Sequence, residues 1–153
     1  MSKPKGRLIP KGSFAGTRGV KSKESLFLPS LKYQYANQRL FPDYTEYDRW
    51  TVKDILKLVY SPFSQEVYYT TTTKFMELLL KEGELNRKQV NGFLSDNSLS
   101  KTTLVNVIIP RLKRLGIVEL VSGYYKPSKD FGKFFMKVSK EYFSILKEHG
   151  IEV

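Results

Sequence analysis

The sequence predicts a mainly α-helical protein with one small β-hairpin, a basic arm ahead of it and a long helix behind it. Three observations carry that expectation. Apolar residues recur at helical spacing through most of residues 51–150. The pair Ser122-Gly123 separates two short runs of strand-forming residues. Residues 1–23 hold seven cations and no acid, interrupted by four glycines and two prolines that no regular element tolerates. With 153 residues, 41% of them hydrophobic, the chain has one domain's worth of sequence and enough apolar mass for a core, despite a net charge of +11.

Taken in order, residues 1–23 read as a flexible arm, because Leu8, Ile9, Phe14 and Val20 are too sparse to bury a face. Residues 24–50 show no period but carry many large rings. Tyr33, Tyr35, Phe41, Tyr44, Tyr47 and Trp50 suit an aromatic connector packed over a domain. A domain over 51–127 follows. Thr51 with Asp54 three positions on resembles a capping box, and Val52, Ile55, Leu56 and Val59 make the face of a short helix stopped by Pro62. The run TTKFMELLLKEG places Phe75, Met76, Leu79 and Leu80 on a stripe that ends at Gly83. Asn86 caps a third helix, with Gln89 reaching back and Val90, Phe93 and Leu94 on its apolar side. Ser100 caps a fourth, whose Leu104, Ile108, Leu112 and Leu115 face the core and which Gly116 closes. Pro110 inside it removes the donor to the carbonyl of Asn106, so the expectation is a bend or a helix in two pieces. Ile117–Leu120 and Tyr124–Lys126 form the hairpin. Ser128 then caps a helix over 128–150 with Phe131, Phe134, Phe135, Val138, Tyr142, Ile145 and Leu146 on one side.

Composition excludes much chemistry. There is no cysteine and a single histidine, His149, so disulfides, Cys or His zinc sites and His-based triads are ruled out. The glycines near Gly12 lack the spacing of a phosphate-cradling loop. Asp43, Glu46 and Asp48 read as surface charge, and Tyr68-Tyr69 lacks the paired histidines a tyrosine nucleophile with a metal usually needs. The expectation is no enzyme, no cofactor and no metal. No run approaches the roughly 18 apolar residues of a membrane span, so a cytoplasmic, nucleoid-associated protein is expected. The arm's Lys3, Lys5, Arg7, Lys11, Arg18, Lys21 and Lys23 suit phosphate backbones, since each cation that neutralises a phosphate releases counterions.

The order helix, helix, turn, helix, hairpin across Phe75–Pro127 resembles a winged helix-turn-helix. The stretch SKTTLVNVIIPRLKRLGIVELVSGYYKP is similar to that superfamily's helix-plus-wing segment, and PRLKRLGIVEL to the helix–wing junction of many archaeal and bacterial regulators. The resemblance implies a sequence-specific, DNA-binding transcriptional regulator with residues 100–115 as recognition helix and 117–127 as wing. An α-helix about 10–12 Å wide fits a major groove about 12 Å wide. With the leucines inward, Lys101, Thr102, Thr103 and Asn106 are the candidates for reading base edges. Ser100, Lys113, Arg114, Tyr124 and Lys126 join the arm as candidate phosphate contacts, one of the two wing tyrosines being expected to face inward. The expected partner is double-stranded DNA. The alternatives are structured RNA in a ribonucleoprotein, as for a ribosomal protein, or a protein adaptor built on the same fold. The apolar side of the last helix leaves two occupants open: a second copy, making a homodimer through 128–149, or residues 51–61 and the connector of the same chain.

Overall fold

A computed structural model describes residues 25–28 and 49–153. The chain divides into two compact units after Ser61. The arm, most of the connector and the acidic residues Asp43, Glu46 and Asp48 lie outside the described residues. Within them the protein is mainly helical with one small three-stranded antiparallel sheet.

In the first unit, α1 (Val52–Leu56) opens as its sequence predicts: the Thr51 N–H and hydroxyl both donate to the Asp54 carboxylate, at 2.8 and 3.2 Å. Leu56, Val59 and Tyr60 are buried behind it, and the Phe27 N–H donates to the Leu58 carbonyl. Burial pushes the Asp54 carboxyl up. The Thr51 N–H and the Lys57 ammonium 3.1 Å away outweigh that and hold it below the usual carboxylate value. A lowered native value means stability that is complete above about pH 4 and lost as acid titrates the group. Replacing Asp54 by asparagine is therefore expected to cost about 1 kcal/mol at neutral pH, a difference from the parent protein that closes on acidification through pH 4. Paired thermal melts across that range check it.

The second unit begins with α2 (Glu66–Glu82), which starts earlier than the apolar stripe alone predicts. Threonines 71–73 are poor helix formers, but all three are buried, so tertiary burial overrides local preference. Phe75, Met76 and Leu79 join them inside, whereas Leu80, expected on the same stripe, stands 51% exposed in the last turn, three residues before Gly83 ends the helix. The Thr72 hydroxyl is buried with no hydrogen-bond partner. Thr72→Val keeps the shape and removes that cost, so it is expected to stabilise the protein by about 1 kcal/mol in denaturant unfolding.

Gly83, at φ 85°, ends α2, and its N–H donates to the Leu79 carbonyl. Next comes β1 (Leu85–Asn86), a strand of two residues that sequence periodicity does not reveal. It pairs with β3 (Tyr124–Pro127), which in turn pairs with β2 (Val118–Val121), giving the order β1-β3-β2. The expected two-stranded hairpin is thus a three-stranded sheet. Ser122 and Gly123 both take positive φ, the signature of a type I′ turn, and set Val121 opposite Tyr124.

Between β1 and β2 lie α3 (Arg87–Asp96), a π-helical stretch Thr102–Ile108, and α4 (Ile109–Arg114) continuing from it. The core closes on Phe75, Leu79, Leu85, Leu104, Ile108 and Leu112, all essentially inaccessible. The last element, α5 (Asp130–Glu148), buries none of its residues.

Candidate nucleic-acid interface

Two caps fix the pair of helices that frames the site. Asn86 and Gln89 exchange hydrogen bonds reciprocally, each 2.8 Å, so α3 starts where the sequence places it. Ser100 Oγ accepts from the Thr103 N–H at 3.2 Å, starting the next helix. Between them, Ser98 takes φ 52° and the Leu99 N–H reaches back to the Leu94 carbonyl, turning the chain in a few residues.

Proline shapes the second helix. Pro110 has no N–H for the carbonyl of Asn106, and its ring crowds that carbonyl. The chain answers by widening: the Ile109 N–H donates five residues back, to the Leu104 carbonyl, and the π-helical stretch then runs into α4 with Pro110 in its first turn, where no donor is needed. The expected break is thus absorbed as a register change. Ile109 is buried alongside Ile108, and Leu115, expected in the core, is only half-buried.

The opposite side is polar. Lys101, Thr102 and Asn106 are exposed, and Thr103 is half-buried. Val107 is 42% exposed beside Asn106, an apolar contact that a four-leucine face does not suggest. Lys113 and Arg114 are exposed farther along, and Arg111 is half-buried. Between Asp96 and Glu119 the chain carries Lys101, Arg111, Lys113 and Arg114 and no carboxylate. Sequence reasoning passed over Arg87 and Lys88, both exposed in the first turn of α3, which holds no acid. The detectable signal is their sign. A helix N-terminus disfavours cations, so two of them there suit a compensating anion.

The sheet resolves the two tyrosines. Tyr125 faces inward and meets Phe75 edge-on at 6.5 Å, whereas Tyr124 is exposed opposite Val121. Lys126 stands 3.6 Å from Glu84 and directly across the ladder from Glu119, so it already has carboxylate neighbours on both sides. At the hairpin tip, Leu120, Val121 and Tyr124 are exposed, giving an apolar rather than cationic end. The arm residues Lys3, Lys5, Arg7, Lys11, Arg18, Lys21 and Lys23 lie outside the described residues.

Among the described residues no group of three or more His, Asp or Glu side chains is placed to hold a metal ion. No described helix is long and apolar enough to cross a membrane. Comparison with protein-family models, with curated proteins and with solved structures finds no match to this chain.

Proposed function

We propose that the unit from Pro62 to Val153 is a winged helix-turn-helix that binds double-stranded DNA as a transcriptional regulator. In this reading the helix from Lys101 to Arg114 lies in the major groove and the β2–β3 hairpin is the wing. One observation carries it. Leu104, Ile108 and Leu112 are buried while Lys101, Thr102 and Asn106 of the same helix are exposed, in a segment with four cations and no carboxylate. The order helix, strand, helix, helix, hairpin, with the short strand beside β3, is consistent with it.

The roles follow from chemistry. Asn106 can pair bidentately with adenine, and Val107 offers a methyl surface to thymine. Thr102 and Lys101 sit near the helix start, where such helices meet base edges. Lys113, Arg114, Arg87 and Lys88 serve phosphates, supplying affinity without sequence preference. Lys126, held between Glu84 and Glu119, contributes less, and Tyr124 is the wing's contact with the sugar-phosphate backbone.

The test is competition binding of the full chain against mixed-sequence duplex DNA and structured RNA at increasing salt. Duplex DNA is expected to compete better at every ionic strength, with affinity falling as a power of salt concentration. Preferential binding to the RNA, or no binding to either at physiological salt, contradicts the reading.

A further inference from the structure

Two side chains report the register of the helix from Lys101 to Arg114: Ile109 is 2% exposed, and Leu115 just beyond it is half-buried. An unbroken α-helix predicts the reverse. Counted from the fully buried Leu104 at about 100° per residue, Leu115 would fall at about 20° and Ile109 at about 140°, on the flank. The π-helical stretch removes the conflict. A turn closed five residues back, as the Ile109 N–H closes on the Leu104 carbonyl, advances about 80° per residue instead. Carried through Thr102–Ile109 and followed by α-helical steps, that advance sets Ile108, Ile109 and Leu112 within about 40° of Leu104 and moves Leu115 to about 80°. The four buried side chains of the helix then share one side.

The same widening turns the downstream cations by about 100° relative to the upstream polar residues. In the observed register Thr102, Arg114 and Asn106 fall at about 200°, 180° and 160°, a single row opposite the buried side, and Lys113 stands about a quarter turn aside. In an unbroken helix the row would pass through Lys113, at about 180°, and leave Arg114 aside. All four of these side chains are exposed.

We propose that Pro110 is a positioning residue for the nucleic-acid face: it sets the register that places Arg114, and not Lys113, in line with Thr102 and Asn106. One row of side chains then carries the base contacts near the helix start and ends in the stronger of the two phosphate contacts. Pro110 acts without touching DNA. Its missing N–H and its ring deny the Asn106 carbonyl an α-helical bond, and the chain closes the turn one residue wider. Alanine at 110 restores the donor and a good helix former, so the helix can close four residues back throughout. The bearing on DNA rests on the proposed function, whereas the register stands on the burial of Ile109 and Leu115 alone.

The experiment has two arms, both on the full chain. In chemical denaturation without DNA, Ile109→Ala is expected to shift the midpoint more than Leu115→Ala, and the order is expected to reverse when each is combined with Pro110→Ala. Valine at either position serves if alanine prevents folding. In titrations with mixed-sequence duplex DNA, Arg114→Ala is expected to lower affinity about tenfold and Lys113→Ala less, with the ranking exchanged on the Pro110→Ala chain. The exchange is the diagnostic result, because arginine grips phosphate better than lysine in either register. An unchanged order of Ile109 and Leu115 on Pro110→Ala overturns the proline's hold on the register. A reversed order with an unchanged ranking of the two cations overturns the positioning of Arg114. Absence of duplex binding by the parent overturns the proposed function and the positioning role with it, and the first arm still decides the register.

Discussion

Replacing Gly116 by alanine is expected to lower the unfolding free energy by about 2–4 kcal/mol, the largest single-residue stability loss expected outside the apolar core. Two costs add there. Gly116 takes φ 77°, closing α4 while the Ile117 N–H reaches back to the Leu112 carbonyl at 2.9 Å, and a side chain in that conformation costs about 1 kcal/mol. A Cβ at this position would also lie 2.9 Å from the Asp130 Cβ and 3.0 Å from the Phe131 nitrogen. That nitrogen donates to the Gly116 carbonyl, so the crowded atoms are the hinge through which α5 leaves the body. Gly123→Ala isolates the first cost: φ is 83° but nothing lies within 4 Å, so about 1 kcal/mol is expected. Chemical denaturation of the two variants side by side is the measurement. Equal losses would show that the close approach at Gly116 costs nothing.

The second large effect concerns DNA, where substitutions on one helix are expected to separate affinity from specificity. Asn106→Ala should lower affinity for the preferred duplex by about 1–3 kcal/mol and leave random duplex nearly unaffected. Lys113→Ala/Arg114→Ala should weaken both kinds of duplex alike and reduce the slope of log affinity against log salt by about 2. All three substitutions act on exposed side chains. Salt-dependent titrations with a preferred and a random duplex check the split. If all three substitutions weaken both duplexes equally, the helix makes phosphate contacts only.

Much of the second unit is legible in the sequence because its boundaries are marked by local chemistry. Asn86 with Gln89, Ser100, Gly83 and Gly116 each satisfy backbone groups within a few residues of themselves, so the signal and its cause lie together. The exposed Lys101, Thr102 and Asn106 are legible for a similar reason: once leucines define the inner face, the outer one follows from helical period. What the sequence hides depends on distant partners. β1 is two residues long and exists because β3 pairs with it, and threonines 71–73 are helical because they are buried. Pro110 announces a disruption without saying whether the helix kinks, stops or widens. Likewise, a lysine reads as a phosphate contact until the fold sets Glu84 and Glu119 around Lys126.

The face from Lys101 to Asn106 is the centre of the account, and selection from a random duplex library tests it most directly. The parent protein is expected to enrich one sequence. Asn106→Ala should enrich the same sequence with the base pair that Asn106 reads no longer specified. Enrichment of no sequence at all, or of an identical sequence by parent and variant, would contradict the assignment of this helix to base reading.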